Sequence, residues 1–244
     1  MAGQTAERQE NGLVRIINGA VKKNKNNPIT LFAGKKKITG VISAAKFTGR
    51  QASGSEPYTD VQLWIKNKKE PINLSLKGPS APSLAGGGLK GLELSVPGIA
   101  KKFMIEARTH LLKKLKLNPG DKVPDVYGKI PVSSKIKIVV GNKMMGGPID
   151  YMYIGPMDVS GVYDVNKNVL TINGNLYEAN EYAKSHELYF RLRARREDQR
   201  FDPDAKDNQG APKIYGKSPS RGDSAGRIVI QDKPPAGAVI IILS

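Results

Sequence analysis

The chain has 244 residues, 39% of them apolar and 25% charged, and it contains no cysteine. That composition suits one large globular domain or two small ones, and it excludes disulfides and thiolate metal sites. Lys and Arg number 39 against 22 Asp and Glu, a net charge of +17, which is the electrostatic footprint of a polyanion binder.

Met1 to Glu10 is polar and no apolar core of a signal peptide follows it. Leu13, Ile16, Ile17 and Ala20 recur at helical spacing, so Thr5–Lys23 is expected to be a helix, stopped by Asn26–Asn27–Pro28. Strands are expected at Ile29–Phe32 and Ile38–Lys46, then a polar loop over Thr48–Pro57. Tyr58–Lys66 and Ile72–Lys77 alternate apolar and polar residues around the charged turn Asn67–Glu70, the pattern of a hairpin. Gly78–Gly91 is rich in Gly, Pro and Ser and is expected to be a loop. Ile99, Phe103, Ala107, Leu111 and Leu115 predict a helix over Ile99–Leu117, begun at Ser95 or Pro97 and ended by Asn118–Pro119–Gly120. Further strands are predicted at Ile136–Val140, Tyr151–Ile154, Val169–Ile172, within Glu187–Arg196, at Ile228–Ile230 and at Ala238–Leu243, with a short helix near Leu176–Lys184. Asp198–Arg227 is expected to be a long loop. The longest apolar run, Ala236–Leu243, falls far short of a bilayer span. The fold class expected is α+β, with a β-rich C-terminal half. A domain boundary, if the chain has one, falls near Asn118–Val132, giving parts 1–117 and 118–244.

One constellation carries chemistry. Asp60 opens a strand, and Ser75 and Lys77 share one face of the next, because strand side chains alternate. Phosphodiester hydrolysis needs a divalent ion, an activated water and positive charge against the developing negative charge. Asp60 can hold Mg²⁺, which prefers oxygen ligands, and Lys77 can position or deprotonate water.

Tyr58–Thr59–Asp60 followed by Asn73–Leu74–Ser75–Leu76–Lys77–Gly78 resembles the active-site hairpin of the PD-(D/E)xK restriction-endonuclease-like nucleases, of restriction or phage type. The helices on either side suit that fold's α–β–β–β–α–β order. The resemblance implies a restriction-endonuclease-like mixed sheet flanked by helices over about residues 5–117 and a Mg²⁺-dependent deoxyribonuclease. It makes Asp60 a metal ligand and Lys77 the catalytic lysine, with Ser75 at the position of the family's second acid. Glu10, with Glu7 behind it, is the candidate helix acid. Thr59 replaces the family's Pro, and the acid missing at Ser75 is expected from Glu93 or Glu106.

Other features have plainer readings beside functional ones. Gly86–Gly87–Gly88–Leu89–Lys90 can cradle a phosphate through its N–H groups or serve as a flexible turn; it lacks P-loop spacing. Lys101 and Lys102 on the second helix, and Arg191, Arg193 and Arg195 on one strand face, are candidate nucleic-acid contacts. His110 and His186 are expected to be structural, and Arg221–Gly222–Asp223 a turn. The expected partner is double-stranded DNA in the cytoplasm, with no membrane and with a homodimer left open. The alternative is a non-catalytic nucleic-acid-binding or virion-structural protein, with an RNA-associated factor behind it.

Overall fold

The computed structural model describes residues 2–52, 56–79, 88–122, 124–193, 199–200, 215–216, 227–231 and 234–243. In chain order the elements are α1 (Ala2–Lys23), β1 (Ile29–Ala33), β2 (Lys36–Lys46), β3 (Val61–Ile65), β4 (Ile72–Lys77), α2 (Gly88–Ser95), α3 (Ile99–Lys113), β5 (Val126–Lys129), α4 (Val132–Val140), β6 (Tyr151–Ile154), β7 (Gly161–Asp164), β8 (Val169–Ile172), β9 (Asn175–Glu178), α5 (Ala179–Ser185), β10 (Tyr189–Arg193), β11 (Gln199–Arg200), β12 (Tyr215–Gly216), β13 (Arg227–Gln231) and β14 (Val239–Ile242). This is an α+β protein in two compact units. One comprises Met1–Pro82 and Val139–Ser185, the other Ser83–Ile138 and His186–Ser244. The chain thus leaves the first unit and re-enters it, with unit boundaries after Pro82, Ile138 and Ser185.

The first unit is a mixed eight-stranded sheet in the order β7-β8-β1-β2-β3-β4-β6-β9. Helix α1 covers one face. Its Leu13, Ile17, Ala20 and Val21 recur every three or four residues, so one stripe meets the sheet. There they join Val41, Ala44, Val61, Leu63, Leu74 and Leu76 in the core. Lys25 and Asn26 take positive φ and Pro28 follows, which stops the helix. The β1–β2 turn uses Gly34 at φ 61°, where a Cβ would also lie 2.2 Å from Asn175 Oδ1. Strands β3 and β4 form the predicted antiparallel hairpin, with Val61 opposite Leu74 and Leu63 opposite Ile72. Strand β4 then pairs in parallel with β6, Ser75 opposite Met152 and Lys77 opposite Ile154. A parallel pair needs a long crossover, and here the crossover carries α2, α3, β5 and α4.

The second unit holds a four-stranded sheet ordered β13-β10-β5-β14. Helix α3 buries Ile99, Phe103, Ala107 and Leu111 as its spacing predicts, and Phe103 packs on Phe190 of β10 at 5.3 Å between ring centroids. Phe190 and Leu192 are buried, as the alternation along Glu187–Arg196 requires.

Several local predictions are corrected. Ile136–Val140 lies in helix α4, not in a strand. Pro131 starts it, with the Ser134 and Lys135 N–H groups donating to the Pro131 carbonyl. The buried residues Ser134, Lys135, Ile138 and Val139 recur at helical spacing, and this packing overrides the strand preference of a β-branched run. Helix α3 ends at Lys113, a turn earlier than Leu117; Lys116 takes φ 51° and Leu115 is exposed. Leu176–Glu178 belongs to strand β9, paired with β6, and the short helix begins only at Ala179. The glycine-rich segment enters α2 at Gly88; its residues 80–87, including Gly86 and Gly87, lie outside the described residues, as does Arg221–Gly222–Asp223. Strands β5, β7, β11 and β12 have no counterpart among the predicted elements; β11 and β12 pair within Asp198–Arg227, expected to be a loop, whose other residues apart from Arg227 lie outside the described residues.

Candidate active site

Asp60 sits one residue before β3 and is held from both sides. Its N–H donates to the Leu74 carbonyl at 2.8 Å, and its own carbonyl accepts from Phe47 N–H at 3.0 Å. The preceding residues lie along the turn after α4: Tyr58 N–H donates to Met145 O at 2.9 Å and Thr59 N–H to Gly146 O at 3.1 Å. Proline has no N–H, so a proline at position 59 could not make this bond.

The carboxylate of Asp60 reaches across the hairpin to β4. Its Oδ2 accepts from Leu76 N–H at 2.6 Å and from Ser75 Oγ–H at 3.2 Å. Its Oδ1 accepts no hydrogen bond from a described residue. Burial pushes the Asp60 carboxyl up from its ordinary pKa, and the negative charge of Glu10 adds to the rise. The positive charge of Lys77 and the bonds from Leu76 and Ser75 oppose it without cancelling it. Lys77 is half-buried. Its ammonium forms no hydrogen bond or ion pair with a described residue.

Helix α1 brings three more side chains. Glu10, one turn before the buried Leu13, is close enough to Asp60 for its charge to act there. Its Oε2 lies 3.0 Å from Nζ of Lys46, the last residue of β2, and Glu7 Oε1 lies 3.6 Å from the same ammonium. These carboxylates raise the Lys46 pKa, the hydrogen bond to Glu10 most of all. Gln9 is buried, and its Nε2 faces the carbonyls of Lys77, Gly155 and Pro156 at 3.2, 3.0 and 3.2 Å. It ties α1 to the ends of β4 and β6, beside the backbone that carries Lys77.

The structure therefore gathers Asp60, Ser75, Lys77 and Glu10. Glu93 is engaged elsewhere: it lies in the second unit, where its carboxylate accepts from Gly98 N–H and Lys101 N–H and caps α3. Glu106 lies on α3 in that unit as well. Lys101 and Lys102 are exposed, as a nucleic-acid contact requires. Arg191 is not a free cation on a sheet face: it pairs with Asp125 at 2.5 Å and stacks over the Tyr127 ring at 5.6 Å. Arg193 lies in β10 without a described side chain, and Arg195 is outside the described residues. Sequence reasoning missed Gln9 and Lys46, which act through distant partners that no local pattern encodes.

Among the described residues no group of three or more His, Asp or Glu side chains converges as a metal site. The Asp60 carboxylate has an oxygen uncommitted among the described residues and feels the charge of Glu10, and Mg²⁺ commonly takes only one or two protein carboxylates and keeps several waters. Asp60 and Glu10 are the carboxylates here that could hold such an ion. No helix among the described residues is long and apolar enough to cross a membrane. No protein-family model matches the chain, and neither the curated proteins nor the solved structures contain a match.

Proposed function

We propose that the chain is a Mg²⁺-dependent nuclease that hydrolyses phosphodiester bonds of DNA, with Asp60, Lys77 and Glu10 as its working groups and Ser75 in support. The observation that carries this assignment is the half-buried Asp60 carboxylate, on which the charges of Glu10 and Lys77 both act, with its Oδ1 and the Lys77 ammonium uncommitted among the described residues. Asp60 and Glu10 would hold the ion, which when bound supplies a polarised scissile phosphate and a more acidic water. Leu76 N–H and Ser75 Oγ keep Asp60 aimed. Lys77 Nζ orients the attacking water or takes its proton, and it faces the negative charge that develops on the phosphate. Gln9 fixes the backbone from which Lys77 projects.

Two further features support it. The order α1, antiparallel β2–β3–β4, helix-bearing crossover and parallel β6 agrees with the α–β–β–β–α–β order of the PD-(D/E)xK nucleases; β1 is an addition. A cleft of about 440 Å³ runs along α1 past Glu7, Arg8, Asn11 and Arg15 to Asp158; Asp158 pairs with Arg8, which leaves Arg15 as its cation for a phosphate backbone. A non-catalytic nucleic-acid binder is the second reading, favoured by Ser75 in the acid position and by the commitment of Glu93 to the α3 cap.

Purified protein is expected to cleave plasmid and linear DNA with Mg²⁺ or Mn²⁺ and to stop when the metal is chelated. Lys77→Ala should lower cleavage by about 10²–10⁴-fold while duplex affinity stays within about twofold. DNA bound but left intact with either metal selects the non-catalytic binder, and full activity of Lys77→Ala rules out this site.

A further inference from the structure

Lys46 is placed to do more than join α1 to the sheet. It closes β2 opposite Val61, the residue after Asp60, and the next residue, Phe47, bonds the Asp60 carbonyl. Its ammonium sits between Glu10 Oε2 at 3.0 Å and Glu7 Oε1 at 3.6 Å, with 37% of the side chain exposed against 20% for Glu10. The negative charge of Glu10 raises the cost of ionising Asp60 in a partly desolvated place. A cation beside Glu10 relieves that repulsion. Lys77 acts on Asp60 from the β4 side, whereas Lys46 is the described cation paired with Glu10.

We propose that Lys46 is the internal counter-cation of this site: it occupies Glu10 while no divalent ion is bound, and it is released towards a substrate phosphate when a divalent ion takes that carboxylate. The proposal rests on the nuclease assignment. Glu7 keeps a second anchor for the freed side chain, so Lys46 need not leave the mouth of the site. The exchange couples two ligands. Ion binding costs the Lys46–Glu10 pair, and the freed ammonium is then available to nucleic acid, so each ligand must strengthen the other by the same factor. A lysine that serves only as a structural tether has no such coupling.

The test uses the full chain, Ca²⁺ as a hard oxygen-seeking ion, and a short fluorescent DNA duplex. Ca²⁺ affinity is measured by calorimetry and duplex affinity by anisotropy, with and without Ca²⁺, for wild type, Lys46→Met and Lys46→Arg. Lys46→Met should bind Ca²⁺ about two- to fivefold tighter, the size of effect expected for a partly exposed ion pair. Its duplex affinity should gain less from Ca²⁺ than that of wild type. Lys46→Arg, which keeps the pair, should behave as wild type and serves as the folded control. Unchanged or weaker Ca²⁺ binding by Lys46→Met, or a full Ca²⁺-dependent gain in duplex affinity, overturns the role of Lys46 alone. Failure of wild type to bind any divalent ion overturns the nuclease assignment and Lys46 with it.

Discussion

At Asp60, burial and the nearby Glu10 charge outweigh the help from Lys77, Leu76 and Ser75, so the folded-state pKa stands above the ordinary carboxyl value. The sign of the consequence follows from linkage. The folded state holds the proton more tightly than the unfolded chain, so stability falls as pH rises from the ordinary carboxyl range through the raised pKa, and it stays lower above it. Asp60→Asn removes that penalty and keeps an oxygen for Leu76 N–H. Its melting temperature should equal or exceed that of wild type at neutral pH, with the difference closing in acid, and Mg²⁺ should stabilise wild type but not the variant. A variant that melts well below wild type at neutral pH would mean that the carboxylate is structural. Gln9 is the opposite kind of residue, a buried donor shared among three carbonyls. Gln9→Leu leaves those acceptors short of a partner and should cost about 1–3 kcal/mol by urea denaturation.

Among the elements, α1 serves both the core and the site: one stripe buries Leu13 and Ile17 while the adjoining turn presents Gln9 and Glu10. Leu13→Ala should cost about 2–5 kcal/mol, because a fully buried side chain leaves a cavity between α1 and the sheet. The same helix carries Gly19, where an added Cβ meets nothing within 4 Å. Gly19→Ala should therefore stabilise the fold by up to about 1 kcal/mol in the same denaturation experiment. The hairpin was legible because strand alternation and the charged turn are local signals. Helix α4 was not: Ile136, Ile138, Val139 and Val140 favour a strand locally, and only the burial of Ser134, Lys135, Ile138 and Val139 on one helical face decides otherwise.

For the whole molecule, the net charge of +17 predicts that nucleic-acid affinity falls linearly on a log–log plot against salt, with a slope of about −0.9 for each phosphate neutralised on duplex DNA. Anisotropy titrations over a range of salt read that slope, and a flat plot would remove nucleic acid as the partner. The sequence by itself determined the charge, the stripes of α1 and α3, the β3–β4 hairpin and the pairing of Asp60 with the Ser75–Lys77 strand, because each depends on composition or on residues a few positions apart. Only the tertiary structure decided the rest. It joined Pro82 to Val139 through a second unit, turned Glu93 into a helix cap, paired Arg191 with Asp125, and set Gln9 and Lys46 against β4 and Glu10. Those outcomes depend on which distant groups meet once the cores are buried, where a charge must find a partner and a buried amide its carbonyls, and no short stretch of sequence records that choice.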